Sequence, residues 1–448
     1  MQQRDTDGSL RSFARAQFLH SLERVSIPVA LYNQLHVAAG SLQMCDLTFN
    51  TAAFQDVLVV AIGKAAGPMC DEVLEQMIQD PSLYVKVRCV VVSSTIPVTC
   101  NPRVIHIPGS HPLPDDNALR AAEVLLRELG KCNADSLVLF LVSGGSSAMV
   151  EMPLDPSFTV SDLVLFHRTL VGSGLPIAQM NALRKHFSRV KGGRLAVAAG
   201  DATQCTLLIS DVPEDMLHTV GSGPSLPDPS TITECRALLA EHAHILGLTD
   251  SMKAFFRSPA LPETPKPSHP SFRNAHWRSL LSSRDLSEQA ALFAKENGFK
   301  VEVDNTCDDW DYREAAHYLV ERMIALRHQH PRVCLITVGE VSVRLPRAHG
   351  VGGRNQQFVL ECARVFHERQ LPFTVLSGGS DGVDGTSSAA GAVGDASTVM
   401  RAARLGHDVV ASLERFDSFP LFQALDDSIV TGPTGTNVRD LRVLLSTE

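Results

Sequence analysis

The chain has 448 residues, 40 Lys and Arg against 49 Asp and Glu, a formal net charge of −9 and an apolar fraction of 44 %. That composition suits a folded chain with a sizeable core, and the length suggests more than one domain. It argues against wholesale disorder, against a nucleic-acid binder, which needs a basic footprint, and against a membrane span, which needs roughly 20 consecutive apolar residues.

Residues 11–40 carry a helical period, with Phe13, Phe18, Leu22 and Val25 on related faces. The first residues have no signal-type apolar core, and Asp5 and Asp7 speak against a transit peptide, so a cytoplasmic location is expected. From residue 56 the pattern changes. Val57–Ile62 is apolar throughout, as a strand buried on both faces would be, and Gly63 ends it. Similar short runs recur at 89–92, 137–142, 206–209, 333–338 and 373–376, with helical segments such as 117–129 and 180–191 between them. Strand, Gly/Ser/Asp turn and helix, repeated, predict an α/β fold with parallel sheets.

Residues 258–272 hold five prolines, which block helices and central strands. The segment reads as a domain connection or as a long surface loop. The expected division is an N-terminal α/β domain over 1–255, a Pro-rich linker or loop over 256–272 and a C-terminal α/β domain over 273–448. Ten scattered cysteines with no CxxC pair read as reduced thiols rather than a zinc or disulfide framework.

Chemistry gathers at the strand ends. Lys64 follows the first apolar run, where it either faces a ligand crevice or snorkels to solvent. Ser143-Gly144-Gly145-Ser146-Ser147 follows LVLFLV, and is either an anion-binding cradle or a tight turn. Asp211 follows TLLI and either holds Mg²⁺, accepts a substrate proton or caps a turn. Arg184, Lys185 and Arg189 make a basic cluster on a helix that Gly192-Gly193 ends, facing an anion or solvent. Downstream, glycines at 350, 352 and 353 precede Arg354 and Asn355, a setting for a bidentate guanidinium on a phosphate or carboxylate. Asp381 lies in two successive DG turns, and Thr431–Asn437 suits a ligand-side loop or a simple turn. Neither GxxxxGK[ST] nor GxGxxG occurs. Five Gly-rich strand ends bearing Lys, Ser, Asp and Arg describe a site for an anionic substrate.

The series GKAAGPM, GSHPLPDDNALRAA, LVSGGSSA, NALRKHFSRVKGGRLA, LLISDVPED, GGRNQQFVLE, GSDGVDGTSSAAGA and TGPTGTNVRDL resembles the glycerate 2-kinase family, whose C-terminal part is the MOFRL module. The resemblance runs in order over roughly residues 57–440. It implies two α/β domains with largely parallel sheets flanked by helices, the first Rossmann-like, and an active site in the cleft between them. It implies ATP-dependent phosphorylation of D-glycerate, normally at the 2-hydroxyl, with Mg²⁺. Carried onto this chain, Lys64, Arg354 and Asp211 become catalytic. Ser143–Ser147, Arg184 and Asn355 bind phosphate or substrate, and Asp381 holds the metal. Asp215 stands in a segment that lacks a glycine common in the family, which leaves its role open. The expected partners are small molecules, with no nucleic acid and no membrane, and a homo-oligomer is left open. The alternative enzyme reading is an NAD(P)H-dependent hydroxypyruvate reductase, which the missing GxGxxG disfavours.

Overall fold

The computed structural model describes residues 3–95, 101–210, 212 and 214–447. Its chain separates into two compact units, Ala30–Leu280 and Met1–Val29 together with Leu281–Glu448. The Pro-rich segment is therefore not the boundary. It lies inside the first unit, where Thr264 and Phe272 are buried and Asp228 donates its N–H to the Pro265 carbonyl at 3.0 Å. The reason is downstream, since the strand that follows it returns to the first unit's sheet.

The predicted helix over 11–40 becomes two helices, Gln3–Arg24 and Ile27–Gln34. The chain then turns through β1 (Leu35–Ala38), β2 (Ser41–Met44) and β3 (Leu47–Asn50), a small antiparallel sheet. Its larger sheet contains β4 (Asp56–Ile62), β5 (Val87–Ser93), β6 (Val104–Pro108), β7 (Ser136–Val142), β8 (Thr203–Ile209) and β9 (Ala275–Leu281). The order is β6-β5-β4-β7-β8-β9, and the pairs from β6 through β8 are parallel. β4 and β7 are buried on both faces, which is why their sequences are continuously apolar. The chain winds outward from β4 to β6, then restarts beside β4 with β7. That is the doubly wound, Rossmann-like order, and its switch point lies between β4 and β7. In register Ile62 faces Val142, so the turns after both strands emerge side by side.

Helices Val160–Gly172, Ile177–Phe187, Ile232–Glu241 and Asp250–Arg257 pack on one another around Phe158, Phe166, Phe187 and Phe256. The Phe166 and Phe187 rings stack with centroids 4.3 Å apart. This aromatic core fixes the helix Ile177–Phe187, which carries Arg184. That helix stops at Phe187, because Ser188 is extended, so it is shorter than the sequence pattern suggested.

The second unit contains β10 (Lys300–Val303), β11 (Arg332–Gly339), β12 (Thr374–Gly379), β13 (Gly391–Asp395), β14 (Ser428–Ile429) and β15 (Asp440–Thr447), in the order β10-β11-β15-β12-β13-β14. Here the expectation of a largely parallel sheet fails. β10 and β11 are parallel, but β15 inserts antiparallel between β11 and β12, and β13 and β14 add antiparallel. The crossover through helix Arg354–Glu368 does leave β11 and β12 pointing the same way, as a strand–helix–strand unit should. The last strand then takes the place between them. Helix Gln3–Arg24 belongs to this unit: Gln17 donates to the Ala290 carbonyl at 2.8 Å, and Phe18 is fully buried.

Candidate functional site

In the first unit the C-terminal edge of the parallel strands carries the chemistry. Gly63 has φ +123°, and a Cβ there would lie 2.5 Å from the Ser143 carbonyl oxygen, so only glycine lets the turns after β4 and β7 approach this closely. The two turns are tied together. Lys64 N–H donates to the Gly144 carbonyl at 3.0 Å, and Ala65 N–H to the Ser143 hydroxyl at 3.1 Å. Lys64 leaves this junction exposed, and among the described residues no carboxylate pairs with its ammonium.

Beside it opens a cavity of about 220 Å³, lined by Gly144, Gly145, Ser147, Arg184, His111 and His167 among others. Arg184 is 7 % exposed. Among the described residues its one side-chain bond is a long one, 3.4 Å from Nη1 to the Asn181 amide oxygen, and its Nε has no partner there. Burial pulls the guanidinium below its ordinary value, with Glu151 working the other way. A buried cation without a paired carboxylate is costly unless an anion joins it. Asn181 in turn accepts from Ser222 Oγ at 3.0 Å, and Ser222 Oγ lies 2.6 Å from Ser147 Oγ. Behind this wall, Lys191 donates to Glu151 at 2.6 Å and His167 Nε2 sits 3.1 Å from the same oxygen. Burial alone would raise Glu151, but the Lys191 ammonium and the His167 ring outweigh it and hold the carboxyl down at about 2.

The expected residues thus divide. Arg184, Gly144, Gly145 and Ser147 line one cavity, and Lys64 stands beside Gly145 at its edge. The Ser143 hydroxyl accepts from Ala65, and Ser146 Oγ is buried without a partner among the described residues. The basic cluster on the helix does not hold together. Lys185 is buried against Asp228 at 2.9 Å, and Arg189 lies beyond the helix end. Asp211 lies outside the described residues. His111, Asn181 and Ser222 were missed, since their chemistry depends on long-range packing. The GSHP turn directly after the apolar VIHIP was the one available signal.

The second unit assembles a different constellation at the start of helix Arg354–Glu368. Arg354 makes a bidentate contact, but its partner is the chain's own Asp440, at 2.6 Å from Nε and 2.9 Å from Nη2. Glu340 adds a third contact at 3.0 Å. Although burial works against the charge, Asp440 and then Glu340 hold Arg354 well above its ordinary value. Asn355 is not open to a phosphate either. Its N–H donates to Asp384 at 3.0 Å, and its side-chain oxygen accepts from Ser377. Asp384 also accepts from the Gln356 N–H at 2.9 Å. Burial outweighs those bonds, and with Asp440 nearby pushes Asp384 up to about 6. Asp381 is half-buried, and its Oδ1 accepts the Val383 N–H at 3.1 Å, which closes the DG turn. Among the described residues no three His, Cys, Asp or Glu side chains gather as a metal cluster. A mainly apolar cavity of about 140 Å³ lies beside the glycine loop, lined by Val343, Leu345, Phe416 and Gln357 with Arg354.

Residues 13–257 match a domain of unknown function, DUF4147, and residues 333–440 match the MOFRL family. The chain is 33 % identical to a D-glycerate 2-kinase of Thermotoga maritima over 86 % of its own length and 89 % of that protein's. It is also 33 % identical to a putative hydroxypyruvate reductase of Agrobacterium vitis, over 77 % of both chains. Among solved structures, a glycerate kinase from Thermotoga maritima superposes with a TM-score of 0.82 at 30 % identity, over 98 % of this chain and all of that one.

Proposed function

The chain belongs to the glycerate 2-kinase family, a DUF4147 domain followed by a MOFRL domain, and from that membership we propose that it transfers the γ-phosphoryl group of ATP to the 2-hydroxyl of D-glycerate. The observation that carries the reading is Arg184, a buried guanidinium with no carboxylate partner among the described residues, in the wall of a cavity at the switch point of a doubly wound sheet. A small hydroxy acid supplies the missing anion. Its carboxylate lies on Arg184, and Gly144 and Gly145 let its body approach the backbone. Lys64 then stands where charge develops on the transferring group, and needs no reorganisation to meet it. Phosphoryl transfer asks for this kind of positioning and neutralisation more than for covalent chemistry.

In the second unit the nucleotide base finds an apolar wall in Val343, Leu345 and Phe416. Arg354, held by Asp440 and Glu340, sets the local field rather than gripping a phosphate with a free fork. Asp381 has one carboxylate oxygen on the Val383 N–H and offers the other. That suits Mg²⁺ arriving on nucleotide phosphates, since this ion keeps its waters and takes one or two carboxylates. Bound there, it would neutralise phosphate oxygens. Asp211 keeps, as a proposal, the acidic role that the resemblance implies.

An ATP-dependent assay with D-glycerate, the product position read by phosphorus NMR, tests the reading. Formation of 2-phosphoglycerate is expected, and no phosphorylated product would overturn it. The reductase name among the relatives sets the second arm, hydroxypyruvate with NADH. Little oxidation of NADH is expected, because the first strand–helix turn carries Lys64 where a dinucleotide needs closely approaching glycines.

A further inference from the structure

Resting on the kinase reading, we propose that His111 takes the proton of the glycerate hydroxyl as its oxygen attacks the γ-phosphorus. The residue sits on the turn after β6, at the mouth of the same cavity that Arg184, Gly144 and Gly145 line. Gly145 marks the convergence. It has φ +86°, and a Cβ on it would lie 3.2 Å from Lys64 Cγ and 3.3 Å from His111 Cδ2. The imidazole and the Lys64 stem therefore flank one point on the turn after β7, and Arg184 lines the same cavity.

The loop that presents His111 is pinned on both sides. Gly109 N–H donates to the Ser93 carbonyl at 2.8 Å, and Ser110 Oγ donates to Asp115 at 2.6 Å. Asp115 is itself fixed as the N-cap of helix Asp116–Leu129, accepting from the N–H groups of Asn117 and Ala118. Among the described residues, neither ring nitrogen of His111 has a hydrogen-bond partner. A ring on a pinned loop, both nitrogens open among the described residues, beside two cations that attract an acid's carboxylate and a phosphate, is placed for proton transfer.

The electrostatics add a condition. Partial burial, then Lys64, then Arg184 push His111 below its ordinary value, so the ring is neutral at pH 7 and able to accept. Among the described residues, Lys64, from the turn after β4, and Arg184, from helix Ile177–Phe187, are the charged groups that bear on it. When glycerate's carboxylate meets Arg184 and phosphate meets Lys64, both repulsions weaken and the ring becomes more basic as the hydroxyl arrives. In the step, the O–H bond breaks towards a ring nitrogen and its electron pair forms the new O–P bond. The bond from phosphorus to the bridging oxygen breaks, and that pair leaves with ADP. The imidazolium then loses its proton to solvent at the cavity mouth.

The test follows kcat and KM for D-glycerate against pH in wild type, His111→Gln and Asp211→Asn, with thermal melts to confirm folding. For His111→Gln, kcat is expected to fall about 10²–10⁴-fold, the usual scale for a positioned acid or base, with KM little changed. The acidic fall in wild-type kcat should vanish in this variant and persist in Asp211→Asn. A His111→Gln enzyme that keeps wild-type kcat, or its acidic limb, overturns the assignment, as does a limb that disappears only in Asp211→Asn. A wild type that phosphorylates no glycerate at any pH brings down the kinase reading as well, so the two failures are told apart.

Discussion

Lys64 shows what a single side chain can do without helping the fold. Its stem leaves a turn already closed by backbone bonds to Gly144 and Ser143, so removing it opens no cavity. Lys64→Ala should lower kcat about 10²–10³-fold, the scale of one electrostatic stabiliser, with the melting temperature nearly unchanged. Wild-type turnover in that variant would remove the ammonium from the mechanism. Asp384 is the opposite case, a charge that works against stability. Its carboxyl titrates at about 6 when folded and near 4 when unfolded, so the folded chain binds the extra proton between those values. Stability from this group is therefore greatest below about pH 4 and is lost as pH rises through about 6, by on the order of 3 kcal/mol. Carboxyl NMR of the side chain across pH 4–8 checks the midpoint. A midpoint near 4 would mean that the bonds from Asn355 and Gln356 outweigh burial.

Among the elements, helix Ile177–Phe187 links packing to chemistry. Phe187 stacks on Phe166 and also meets Phe158 at 5.0 Å and Phe255 at 5.4 Å, one turn from Arg184. Phe187→Ala should cost about 3–5 kcal/mol by opening a cavity. The milder Phe187→Leu should stay folded yet raise KM for glycerate, because the guanidinium loses its fixed seat. An unchanged KM would show that Asn181 alone positions Arg184. Elements of this kind also explain what the sequence disclosed. β4, β7, β8 and β11 were legible because burial on both faces makes them apolar throughout. β15 was not. Its DLRVLLST text carries Asp440 and Arg442 because helix Arg354–Glu368 covers both, through the Arg354 ion pair and the Phe358 ring, a tertiary fact with no local trace. Likewise Lys64 and the Ser-Gly-Gly turn could be found at strand ends. The carboxylates that occupy Arg354 come from 14 residues upstream and 86 downstream, Glu340 and Asp440, and no spacing rule pairs them.

At the scale of the whole molecule, one unit is continuous in sequence and the other is not. Residues 30–280 carry the whole first sheet, apart from the end of β9, and the aromatic helical core. Residues 281–448 lack their own cover without helix Gln3–Arg24, whose Phe18 ring packs on Gly378 so closely that a Cβ there would lie 2.6 Å from it. Arg11 pairs with Asp395, and Arg15 donates to the Ser428 carbonyl at 2.9 Å. A fragment of residues 30–282 should melt cooperatively. One of residues 283–447 should do so only when residues 1–29 are supplied, as a peptide or fused after residue 447 through a flexible linker. Equal melting with and without that segment would show that the helix is dispensable.

The same discontinuity sets an order on biosynthesis. The helix over residues 3–24 is made well before the rest of its unit, since β12 and β15, which it helps to cover, appear some 350–420 residues later. At about 5–20 residues per second, that is a wait on the order of 20–80 seconds. Throughout it, Phe18 lacks the sheet surface it packs on, while the continuous first unit has time to finish folding. The nascent chain is thus open to chaperones, and to misassembly with a neighbouring nascent chain, at the helix over residues 3–24, and synonymous codons that slow translation beyond residue 281 would lengthen that exposure.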